Sequence, residues 1–80
     1  MKLPRDVSGT VLAERLARYG YVVTRQTGSH LRLTLEQPVQ HHLTIPAHQN
    51  LKVGTLSGIL REVGRVLDLD RERLLRELFG

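Results

Sequence analysis

Leucine stands at positions 31, 33 and 35, with His30, Arg32 and Thr34 between them. Successive side chains of a strand point to opposite faces, so this spacing makes one leucine face and one polar face. A helix would throw Leu33 to the far side from Leu31 and Leu35, so the segment is read as a strand. Its leucines need cover while its polar side faces water, and an antiparallel sheet with one solvated face provides both.

The neighbouring residues extend the sheet. Tyr21–Gln26 is aromatic and β-branched, the composition of a second strand. Thr27-Gly28-Ser29 turns the chain, because Gly28 accepts positive φ without steric cost. After a polar link, Glu36-Gln37-Pro38-Val39-Gln40, a third strand is expected at His41–Ile45, with Leu43 and Ile45 on one side and His42 and Thr44 on the other. Pro46 should end it, since proline cannot donate to a ladder.

Helices must cover the leucines. Val11, Leu12, Leu16 and Tyr19 recur at helical spacing after Ser8, a capping residue, and before Gly20, a left-handed terminator. Leu56, Ile59, Leu60, Val63 and Leu67 form a longer stripe for which Thr55 is the expected cap. Gly64 lies inside it and costs about 1 kcal/mol against alanine, so the helix is expected to weaken or stop there. Asp70 should cap a last short helix carrying Leu74, Leu75 and Leu78. The expected fold is α+β: helix, three antiparallel strands and helix, with the helices on one face, plus a short C-terminal helix. Eighty residues make this one domain, residues 1–80, with a small core.

Composition narrows the function. There is no cysteine, which excludes a disulfide-built secreted scaffold. No apolar run approaches the roughly 20 residues of a membrane span, and the first residues lack the apolar core of a secretory leader. A cytoplasmic protein with no membrane partner is expected. The charge is +4, and ten of the 12 basic residues are arginine. The excess lies entirely in residues 1–52, and Arg15, Arg18, Arg25 and Arg32 fall in a stretch free of acids. Arginine's planar fork suits phosphate, so a one-sided basic surface points to nucleic acid. A surface charged only for solubility would look the same.

Among candidate chemical groups, His30 follows the glycine turn, lies on the polar face and has Arg32 two residues on. Imidazole can take and give protons near neutral pH, while cations can hold a phosphate as charge builds on its oxygens. RNA cleavage needs these two functions and no metal, although an isolated surface histidine is more often inert. His41 and His42 are consecutive in a strand and point to opposite faces, which argues against a shared metal ion. His42 has the polar parity and is expected across from the central strand, near His30. Four histidines without metal-site spacing make a weak case for zinc, and neither a metal nor another cofactor is expected. Ser29 directly precedes His30, which does not suit a Ser/His/Asp arrangement. Val53-Gly54-Thr55 offers free helix-start amides to an anion, or simply a cap.

Arg25-Gln26-Thr27-Gly28-Ser29-His30, then Ile45-Pro46-Ala47-His48, then Gly54-Thr55-Leu56 leading into Ile59-Leu60-Arg61 resembles the HicA-type toxins of bacterial toxin–antitoxin pairs. The resemblance runs from about Ser8 to the C-terminus. It rests on three ordered elements, none specific alone. Pro38 and the doubled His41-His42 are not family hallmarks, and neither touches the motif. The resemblance implies a fold like double-stranded-RNA-binding domains and a toxin that cleaves messenger RNA. It implies that activity depends on His30, with Gly28 and Ser29 shaping the turn. It further implies a cognate HicB-type antitoxin covering the active face. Arg25 and Arg32 are the expected phosphate contacts on charge and parity, and Lys52, beside the helix start, is the third basic candidate. The toxin alone is expected to be monomeric.

Two other readings stay open. A non-catalytic double-stranded-RNA-binding module would read shape through phosphates and 2′-hydroxyls and need no histidine. Residues 55–78 also have the outline of a helix-turn-helix DNA binder, but that half is electrically neutral and would turn Asp70, Glu72 and Glu77 toward phosphates.

Overall fold

The computed structural model describes residues 2–80. Helix α1 spans Gly9–Leu16 and continues as a single 3-10 turn, Ala17–Tyr19. Strands β1 (Val22–Thr27), β2 (His30–Leu35) and β3 (His41–Pro46) follow, then helices α2 (Val53–Leu67) and α3 (Arg71–Phe79). The strands form one antiparallel sheet in the order β1-β2-β3, the expected α+β fold. Among the described residues no helix is long and apolar enough to cross a membrane.

Local chemistry sets the boundaries. The Ser8 hydroxyl accepts from the Val11 amide at 3.0 Å and starts α1. Gly20, at φ 104°, ends the 3-10 turn. The Asp70 carboxylate accepts from the Arg73 amide at 2.8 Å and caps α3. Two helix expectations fail. The residue capping α2 is Lys52, not Thr55, and it makes no side-chain capping bond. Nor does α2 stop at Gly64: it runs to Leu67, because tertiary packing uses the missing side chain. A Cβ at Gly64 would lie 2.8 Å from the Leu69 carbonyl oxygen and 3.2 Å from Leu74 Cδ1. The close turn into α3 offsets the intrinsic cost of glycine.

Burial along β2 follows the leucine alternation. Leu31, Leu33 and Leu35 are at most 5% exposed, while His30 and Arg32 are exposed. Against the leucines pack Leu12 and Leu16 of α1, Leu43 and Ile45 of β3, and the apolar stripe of α2. Each such leucine contributes about 1.5–3 kcal/mol by leaving water. Val11, assigned to the apolar stripe by spacing, is instead 37% exposed.

The C-terminal helix is tied back to the beginning of the chain. Arg15 Nη1 donates to the Leu78 carbonyl at 2.7 Å, and Arg18 Nη1 to the Glu77 carbonyl at 2.6 Å. The Tyr19 hydroxyl donates to Glu77 Oε1 at 2.8 Å. Two cations thus satisfy orphan carbonyls at the negative end of α3. Arg15 and Arg18 therefore do structural work on the helical layer and leave the basic group inferred from sequence.

Candidate active site

Thr27 pairs with His30, so Gly28 and Ser29 are the whole loop between β1 and β2. Gly28 has φ 54°, the left-handed value expected of it. A Cβ there would meet nothing within 4 Å, so glycine is required by backbone conformation and not by space. The tight turn places His30 at the very start of β2, exposed and without a side-chain hydrogen bond among the described residues.

Arg25 lies directly opposite Arg32 on the open face. Strand alternation alone gives the wrong answer here. Tyr21 is buried, so counting in twos from Tyr21 and Val23 would turn Arg25 toward the helices. The register instead shifts between Val23 and Arg25, with Thr24 as the extra residue of a bulge. Thr24 then joins the open face, its Oγ1 2.8 Å from Thr34 Oγ1, and Thr34 Oγ1 lies 3.0 Å from His42 Nδ1. This Thr24–Thr34–His42 chain went unnoticed in the sequence. The only available signal was a mismatch between hairpin counting from Gly28 and alternation from Tyr21.

His42 pairs with Thr34, whereas His30 pairs with Pro46 at the other end of the strand pair. The expectation that His42 lies near His30 therefore fails, because four residues of β3 separate their registers. His41 and His42 do take opposite faces. His41 is half-buried on the helical side, with Nδ1 2.9 Å from the Tyr21 hydroxyl and Nε2 3.3 Å from Glu62 Oε1. A hydrogen bond from Arg65, together with His41, holds the Glu62 carboxyl below its ordinary range. Burial pushes the Tyr21 hydroxyl up, aided by the Glu62 charge. This network ties α2 to the sheet and lies apart from the open face.

The segment after β3 returns to the turn. The Ala47 amide donates to the Ser29 carbonyl at 2.6 Å, one step beyond Pro46. The Gly9 amide donates to the His48 carbonyl at 2.9 Å, and the Leu51 amide to the Val7 carbonyl at 2.8 Å. Lys52 follows as the exposed residue that precedes α2, outside the ladder that holds Arg25, His30 and Arg32 together.

An exposed imidazole thus shares one face with two guanidiniums that, among the described residues, have no carboxylate partner. A family model described as the HicA toxin of bacterial toxin–antitoxin systems matches residues 12–64. The chain belongs to the HicA toxin family. No curated protein and no solved structure matches it. The HicA match runs from α1 through all three strands into α2 and so covers the whole Gly28–Ser29–His30 hairpin. As a HicA-family member the protein is the toxin of a toxin–antitoxin system and has a cognate antitoxin partner.

Proposed function

We propose that this HicA-family toxin is an endoribonuclease that cleaves messenger RNA in the cytoplasm without a metal ion or other cofactor, and so inhibits translation. The supporting observation is the pairing of Arg25 with Arg32 beside the exposed His30. Like charges directly opposite in a sheet are destabilising, and an anion seated between them removes that cost. A phosphodiester bound there brings its ribose over the hairpin. His30 acts as general acid or base on the 2′-hydroxyl or the 5′ oxygen, and the guanidiniums hold the non-bridging oxygens as their charge builds. Attack of the 2′-oxygen on phosphorus breaks the P–O5′ bond and leaves a 2′,3′-cyclic phosphate and a 5′-hydroxyl. Gly28 and Ser29 set the direction of His30, and Lys52 adds a further contact to the RNA backbone.

The toxin acts as a monomer, and a HicB-type antitoxin silences it by covering the open face. The test is incubation of purified protein with RNA in excess chelator. Cleavage with cyclic-phosphate ends is expected, falling by about 10²–10⁴-fold in His30→Ala. RNA binding without cleavage would instead favour a non-catalytic RNA-binding module.

A further inference from the structure

We propose that His48 is the second proton-transfer group of this site, dividing with His30 the two transfers that cleavage requires. The inference rests on the nuclease reading above. Strand register singles His48 out. His30 pairs with Pro46, and the Ala47–Ser29 bond carries the ladder one residue further. Position 48 keeps the parity of 42, 44 and 46, which makes it the diagonal neighbour of His30. Diagonal neighbours across antiparallel strands lie about 7–8 Å apart, within reach of long side chains. His42 is four residues away in the other direction, about 13 Å along the strand, with the Arg32–Thr44 pair between.

The backbone around His48 is held by hydrogen bonds to two other segments. Ala47 is fixed to the turn, and the His48 carbonyl accepts from Gly9. That contact depends on glycine, since a Cβ at Gly9 would overlap the Pro46 carbonyl oxygen. The His48 side chain, by contrast, is exposed and has no partner among the described residues. A fixed backbone presenting a free imidazole is the requirement for a group that must meet a substrate at a set distance.

The chemistry needs a group on each side of phosphorus. One imidazole takes the 2′-hydroxyl proton as the 2′-oxygen bonds to phosphorus. The other, protonated, gives its proton to the 5′-oxygen as the P–O5′ bond breaks. Solvent then restores both rings.

The test uses the full chain, an oligoribonucleotide whose cleaved bond has been located, and the same oligonucleotide with sulfur replacing the bridging 5′-oxygen at that bond. A thiolate leaves without a proton, so sulfur rescues loss of the acid and not loss of the base. Both His30→Ala and His48→Ala are expected to melt as the wild type does and to lose at least about 100-fold in kcat on ordinary RNA with KM unchanged. Sulfur should restore one of the two to within a few-fold of the wild type. His48→Gln gives the same readout should the alanine variant fold poorly. Wild-type activity in His48→Ala, a loss confined to KM, or rescue of neither variant would overturn the proposal. An inactive His30→Ala beside a fully active His48→Ala removes only this inference. Full activity in His30→Ala removes His30 from the chemistry and this division of labour with it, whereas no cleavage by the wild type removes the nuclease reading itself.

Discussion

Arg25 and Arg32 face each other directly across the β1–β2 ladder, and no carboxylate among the described residues pairs with either. Such a pair is costly in the free protein and favourable once a phosphate lies between the two forks. Arg25→Ala and Arg32→Ala should each weaken single-stranded RNA binding and lower the slope of log affinity against log salt by about 0.7. Titration of RNA into the His30→Ala background at several salt concentrations measures this without turnover. An unchanged slope would place the phosphate elsewhere.

The turn glycine and the helix glycine should respond differently to a methyl group. At Gly28 alanine meets open space but keeps a left-handed backbone, so Gly28→Ala should lose about 1–2 kcal/mol. At Gly9 the same change overlaps the Pro46 carbonyl and forces apart the α1–β3 contact, so it should destabilise more than Gly28→Ala does. Urea unfolding of both variants ranks them.

These two glycines also mark what the sequence could and could not tell. The alternation of Leu31, Leu33 and Leu35 was enough to establish the sheet, its covered face and the exposure of His30, because a period of two has only one packed solution. Ser8, Gly20 and Asp70 act through neighbouring backbone groups, so their caps were legible locally. Gly64 reads locally as a helix breaker, because its role lies in the approach of Leu69, in the turn after α2, and of Leu74 in α3. Arg25 is expected as a phosphate contact from charge and parity, but the bulge at Thr24 that puts it opposite Arg32 shows in the sequence only as a mismatch between hairpin counting and strand alternation. Arg15 and Arg18 count toward the acid-free basic stretch, because charge in a sequence does not reveal that two guanidiniums are committed to α3 carbonyls.

The Tyr19–Glu77 contact makes the docking of α3 sensitive to pH at both extremes. Burial, then the hydrogen bond to Glu77, pushes the Tyr19 hydroxyl up to about 12. The folded state holds this proton more tightly than the unfolded one, so the associated stability is present below pH 10 and is lost between about 10 and 12. Hydrogen bonds from Arg73 and Tyr19 hold the Glu77 carboxyl below its ordinary range. That contribution is present above the unfolded value and fades as pH falls through the folded one. Thermal melts across pH should fall off on both sides, and Tyr19→Phe should flatten the alkaline side.

The two faces of the sheet should separate by mutation. Tyr21→Phe removes the hydroxyl beside His41 Nδ1 and should lower stability by about 1 kcal/mol, with RNA cleavage unchanged. Leu33→Ala, in the fully buried middle of β2, should lower it by about 2–5 kcal/mol. Parallel melting and cleavage assays check both, and a cleavage defect in a folded Tyr21→Phe would mean that the helical side takes part in the chemistry.

RNA cleavage in excess chelator, comparing the wild-type chain with a folded His30→Ala variant, bears most directly on the open basic face as a nuclease site. Cyclic-phosphate products from the wild type and a loss of about 10²–10⁴-fold in the variant are the expected result. Equal cleavage by both proteins, or none by the wild type despite RNA binding, would contradict it.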